Sequence, residues 1–202
     1  SPYSNMAVVS THADSAIDIC NRGLILIGAE PMTSFDDGTT EARVSANVYE
    51  DILRTSLTNA RWRFSTNQEQ LNRLTDAPTA RFDLAYQLPT DTLLVHAVTV
   101  NDNPIEYQIY GSMVYADTTT TDTVVADYTF RVSEEFMPSY FTMAVSYALA
   151  QVYATSIARD VALANGMAGM ANQMMLKARS VDSQQQTTRK LVTNRFLIDR
   201  RT

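Results

Sequence analysis

The sequence predicts an α+β fold: a mainly helical bundle with an inserted small antiparallel β subdomain and an extended C-terminal tail. Three observations point there. Apolar residues recur at three- and four-residue spacing over 11–28, 40–60, 138–158 and 160–183, which gathers them on one face of a helix. Between Arg81 and Arg131 the period drops to two, the signature of strands. Beyond Ser183 the chain becomes basic and rich in Gln and Thr, with apolar residues at no regular spacing. The expected organisation is a flexible N-terminus over 1–10, a helical bundle from 11–80 and 132–183, a β-rich subdomain over 81–131 and a basic docking tail over 184–202.

Thr11 is placed to cap the first helix, with Asp14 three residues on for the reciprocal bond. Ala13, Ala16, Ile17, Cys20, Leu24 and Ile27 form its apolar stripe, and Gly28 and Pro31 end it. Asp36-Asp37-Gly38-Thr39 reads as a tight turn followed by a cap, with Glu41 at the positive end of the second helix. A calcium loop would need alternating oxygen ligands and a closing acid at fixed spacing, so the turn is read as structural. Val44, Val48, Ile52, Leu53, Leu57 and Ala60 supply the core face of that helix. In Arg61-Trp62-Arg63-Phe64 the aromatics lie two apart between arginines. Such interleaving occurs in single-strand nucleic-acid platforms, but one unit in an acidic chain is better read as a buried tryptophan anchor.

Strands are expected at Phe82–Tyr86, Leu93–Val100, Ile105–Tyr110, Met113–Tyr115 and Val124–Arg131, with a turn at Asn101-Asp102-Asn103-Pro104 and a loop at Asp117–Thr123. Met137-Pro138 reopens helix, carrying Phe141, Ala144, Val145, Ala148, Leu149 and Val152. Asp160 caps the last helix, whose stripe is Leu163, Met167, Met170, Met174, Ala178 and Val181. We read this methionine stripe as core. Gly166 and Gly169 cost about 1 kcal/mol each inside a helix, so packing must compensate or the helix begins later.

Composition narrows the function. Apolar residues make up 45% and charged residues 19% of 202, which excludes an intrinsically disordered chain. The lone Cys20 excludes an internal disulfide framework and a cysteine zinc site, and on an apolar stripe it reads as a buried, inert thiol. No apolar run approaches a membrane span, and no secretory signal opens the sequence, so no membrane partner and assembly in a cytosol are expected. Residues 177–202 hold seven basic groups and two acids, a net +5; with −6 overall, the remainder carries −11. An acidic body opposes nucleic-acid binding, which needs a basic footprint, and no helix-turn-helix with a basic recognition helix supports a regulator. The motifs of serine hydrolases, nucleotide binders and zincins are missing from the sequence. His12 and His96 lie far apart in sequence, without an acid or partner at the spacing a metal or acid–base site needs. No enzyme, cofactor or metal is therefore expected. A small enzyme or assembly factor using a carboxylate pair is the alternative, although nothing singles out one pair; Glu134-Glu135 fits a helix entrance.

In the tail, Arg189, Lys190, Arg195, Arg200 and Arg201 bracket Leu191, Val192, Phe196, Leu197 and Ile198. That combination matches an acidic groove with apolar pockets. Arg189, Lys190, Leu191, Arg195, Phe196, Ile198, Arg200 and Arg201 are the candidate partner-binding residues, and Asp36, Asp37, Gly38 and Thr39 the candidate structural turn and cap.

Ile19-Cys20-Asn21-Arg22-Gly23-Leu24-Ile25-Leu26-Ile27-Gly28-Ala29-Glu30-Pro31-Met32-Thr33-Ser34-Phe35-Asp36-Asp37-Gly38-Thr39 resembles the tail tubular protein A family, the head-to-tail adaptors of short-tailed bacteriophages (the podovirus type). The resemblance continues through Tyr49…Arg54…Leu57, Trp62-Arg63-Phe64, Phe82–Pro89, Tyr107-x-Ile109-x-Gly111 and Met137-Pro138, covering roughly residues 13–183. It implies a structural virion protein without catalysis: a dodecameric ring between the portal protein and the tail nozzle protein, with tail fibres as a further neighbour. Duplex DNA would pass through the channel without sequence-specific binding, and the protein would reside in the virion at the head-to-tail interface after assembly in the host cytoplasm. Such a conduit accords with the acidic body, which repels phosphate.

Overall fold

Ser15 starts the first helix in the computed structural model, which describes residues 12–78 and 80–184. Its hydroxyl accepts from the Asp18 N–H at 3.2 Å, satisfying one of the orphan donors of the first turn. Helix α1 (Ala16–Leu26) therefore begins later than a Thr11 cap would place it; Thr11 itself lies outside the described residues. Gly28, at φ +73°, terminates it in the left-handed conformation. Helices α2 (Thr40–Thr58), α3 (Ser139–Ser156) and α4 (Val161–Ser183) follow. Asp160 caps α4 through the Leu163 N–H at 3.0 Å. The described residues divide into two units, one of residues 12–52 and 133–184, the other within Leu53–Val132.

In the first unit α1 and α4 both pack on α3. α3 buries Phe141, Ala144, Val145, Leu149, Ala150 and Tyr153, so it is apolar nearly all round, as a central helix must be. Gly23 of α1 sets the spacing. A Cβ there would lie 3.0 Å from the Ser146 carbonyl oxygen and 3.1 Å from both Leu149 and Tyr153. Polar groups inside are satisfied: the Ser146 hydroxyl donates to Thr142 O at 2.8 Å, and the Ser45 and Tyr153 hydroxyls meet at 2.6 Å.

Eight strands form the second unit: β1 (Thr66–Gln70), β2 (Asn72–Arg73), β3 (Leu84–Gln87), β4 (Thr92–Val100), β5 (Asn103–Pro104), β6 (Tyr107–Tyr110), β7 (Met113–Ala116) and β8 (Val124–Phe130). They build two antiparallel sheets ordered β1-β8-β4-β5 and β2-β3-β7-β6. Tyr86 and Val114 from one sheet and Val98, Val124, Ala126 and Tyr128 from the other share a single core with Leu71 and Leu88. Trp62 is fully buried, its indole N–H donating to Ser56 O at 2.9 Å, and acts as the expected anchor.

These sheets overturn the expectation of a mainly helical bundle with a small insertion. Helices take 45% and strands 22% of the described residues, an α+β fold with two full sheets. The discrepancy has a physical source. β1 and β2, within 11–80, read Thr-Asn-Gln-Glu-Gln and Asn-Arg and are almost wholly exposed, so no apolar alternation marks them. β5 hides inside the expected turn; the reversal is made by Asn101 and Asp102 alone, both at positive φ.

His96 is the extra residue of a β-bulge, because Val95 pairs with Tyr128 and Ala97 with Asp127. Its Nε2 lies 2.7 Å from the hydroxyl of buried Thr129. Partial burial lowers its pKa below the ordinary 6.5, with Arg61 adding to the shift and Asp127 opposing it.

Two measurements follow from this packing. Gly23→Val should destabilise the protein by roughly 2 kcal/mol or more in denaturant titration, through overpacking against backbone. Because the folded chain binds the His96 proton less readily than the unfolded chain, this residue costs stability as pH falls through the unfolded pKa, and the loss levels off below the folded one. The melting temperature should fall as the pH drops through about 6.5, and by less in His96→Gln.

Candidate functional site

The chemistry of the described residues is sparse. Burial pushes the Cys20 thiol up to about 11, so it is not a thiolate at neutral pH. No group of three or more His, Cys, Asp or Glu among the described residues could hold a metal. A cavity of about 370 Å³ in the first unit is lined by Ala16, Phe35, Ser45, Ala46, Tyr49, Glu50 and Glu134. Glu134 there accepts from the Tyr49 hydroxyl at 3.0 Å, a tether between α2 and the turn before α3.

The surfaces are more informative. In the loop before α2, the Asn21 side chain brackets Met32, accepting from its N–H at 2.9 Å and donating to its carbonyl at 2.8 Å. The Asp37 carboxylate accepts from the N–H groups of Thr33 and Ser34 at 2.8 and 3.2 Å, and these bonds hold its pKa below the usual carboxylate value. Gly38 sits at φ +74°, and Thr39 Oγ1 accepts from the Ala42 N–H at 3.2 Å. Asp36 donates its N–H to Ser34 Oγ at 3.1 Å. The four residues thus lie together in one exposed turn, and their own polar groups bond within it and the adjoining helix.

Helix α4 spends little of its surface on the core. Ala164, Ala178 and Asp182 are buried, with Asp182 accepting from the Tyr140 hydroxyl at 2.7 Å. Of the expected methionine stripe, Met167 and Met174 are half-buried, whereas Met170 and Val181 are exposed. Leu176 and Val161 stand 64% and 73% exposed. Gly166 and Gly169 lie inside the helix, and nothing comes within 4 Å of a Cβ built on either. Their helix cost is therefore not offset by close packing among the described residues. The sequence offered one signal of this face, two glycines in an otherwise helical pattern, and reading the stripe as core concealed it.

A second surface is the free edge of β6. Strand β6 ends its sheet and leaves Ile109 and Tyr110 43% and 46% exposed. The docking residues expected in the tail (Arg189, Lys190, Leu191, Arg195, Phe196, Ile198, Arg200 and Arg201) lie outside the described residues.

Gly38→Ala should cost about 1 kcal/mol or more, measured by chemical unfolding, since a side chain is strained at that φ even with open space around it.

A family model described as tail tubular protein matches residues 15–190. No curated protein matches the chain. The match takes in all four helices and both sheets, and the chain belongs to the tail tubular protein family, the structural components of phage tails.

Proposed function

We propose that the protein is a head-to-tail adaptor, copies of which form a dodecameric ring between the portal protein and the tail nozzle protein and extend the DNA channel. The observation that carries this reading is the outer face of α4. An ordinary helix stripe faces α3, while Val161, Met170, Leu176 and Val181 remain at the surface beside Gly166 and Gly169. Exposed apolar residues next to glycines with open space suit the close approach of a neighbouring copy's helix. The −11 of the chain before residue 177 supports the conduit, since acidic walls let duplex slide rather than adhere. In the assembled virion the basic tail, residues 184–202, docks on the portal or on a neighbouring subunit, and tail fibres attach nearby.

Cosedimentation with the matching portal ring tests the role directly, with stable capture expected and failure to bind overturning it. The double variant Gly166→Ala/Gly169→Ala separates folding from assembly. It should stabilise the isolated chain by about 1–2 kcal/mol through helix propensity, while weakening ring formation in analytical ultracentrifugation.

A further inference from the structure

The four outer strands of the two sheets are not equivalent. β1 carries Glu69, β2 carries Arg73 and β5 carries Pro104, and a charge or a proline on an edge discourages another strand from pairing there. β6, Tyr-Gln-Ile-Tyr, carries neither. Its turn to β7 has two residues, Gly111 and Ser112, closed by the pair Tyr110–Met113. In such a hairpin the closing pair exchanges hydrogen bonds and the next pair does not. The N–H and C=O groups of Ile109 and Tyr107 therefore point away from β7, and among the described residues no strand pairs with that side. Ile109 lies opposite buried Val114, on the core face of the sheet, yet is 43% exposed. The core is open at this edge.

Charge indicates what covers it. From Phe82 to Phe130 the chain contains seven acids (Asp83, Asp91, Asp102, Glu106, Asp117, Asp122 and Asp127) and no Lys or Arg. Glu106 immediately precedes β6, and Asp117 follows Ala116, the partner of Tyr107. An added strand should therefore be basic, apolar and rich in β-forming residues. The segment Arg189-Lys190-Leu191-Val192-Thr193-Asn194-Arg195-Phe196-Leu197-Ile198 has that chemistry, and Arg200 and Arg201 follow it.

We propose that the β6 edge receives residues 189–198 of a neighbouring copy as an added antiparallel or parallel strand, its backbone bonding to Tyr107 and Ile109 and its apolar side chains closing the core rim beside Ile109. The inference rests on the multi-copy assembly proposed above and assigns the tail its seat. Main-chain bonds supply the affinity of such an addition, and the acidic surroundings select a basic segment.

The test uses the full-length chain and a fluorescent peptide of residues 185–202, followed by anisotropy at low salt. Saturable binding is expected, weakened by added salt and lost when Arg189, Lys190 and Arg195 of the peptide are replaced by Glu. Ile109→Pro removes one outward N–H without touching the bonds to β7, and should weaken binding roughly tenfold. If circular dichroism shows that variant unfolded, the peptide decides. N-methylation of alternate residues should abolish binding in one phase, Leu191, Thr193 and Arg195 or Val192, Asn194 and Phe196, and spare it in the other, because only one phase faces β6. Absence of saturable binding up to about 1 mM overturns the proposal, as does equal binding by both methylated peptides or by a folded Ile109→Pro chain. No portal is present in this assay. A negative result beside intact portal capture therefore refutes the seat alone, and binding without portal capture refutes the adaptor role alone.

Discussion

The close approach of α1 to α3 at Gly23 governs the helical unit. With no side chain at that point, the α1 backbone comes near enough for the Ile19 carbonyl to lie 3.3 Å from the Ser146 hydroxyl, a second and more distant acceptor for the proton that this hydroxyl gives to Thr142 O. The same spacing leaves room for small, buried Cys20 beside Tyr153, whose hydroxyl meets Ser45 of α2. One missing Cβ thus fixes a contact involving three helices, and each polar atom drawn into it finds a partner, as burial demands. A core completed in this way takes one stripe of α4, which packs on α3. The exposed apolar residues and glycines on the outer face of that helix are not accounted for by packing among the described residues.

The β unit is organised differently. Its two sheets share one small core, and three of their four outer strands, β1, β2 and β5, are protected by a charge or a proline rather than by closure into a barrel. Electrostatically the chain is polarised along its length, with acids and no bases from Phe82 to Phe130 and bases concentrated after Ser183. Within one molecule such a separation is of little benefit to folding; in the multi-copy assembly proposed above it favours contacts that bring unlike ends together and keep like ends apart.

How much of this the sequence disclosed depends on how each element is buried. Helices with an apolar stripe and a clear stop, such as α2 and α3, were legible to within a few residues. So were β4 and β8, whose Val-rich runs reach the core. β1 was invisible because an edge strand exposed on both faces has no reason to alternate. The start of α1 was misplaced because Ser15 and Thr11 are equally good caps, and only the local backbone chooses between them. Of the surfaces, the Asp36–Thr39 turn was readable from residue type alone, since Asp-Gly constrains φ. The free face of β6 was not, and that of α4 showed only as two glycines in a helical pattern. Exposure of an apolar residue is a property of what fails to cover it, and no local pattern records that.

Trp62 carries a practical consequence. It is the single tryptophan of the chain, fully buried in the β unit and hydrogen-bonded to Ser56. A shielded indole emits at shorter wavelength than a hydrated one, so fluorescence of this protein reports the β unit almost exclusively. Far-ultraviolet ellipticity is dominated by α1, α3, α4 and most of α2, which belong to the other unit. The two optical signals are thus assigned to separate parts of the molecule without any label. Whether they change together on heating, or one after the other, reads directly whether the two units melt as one cooperative body.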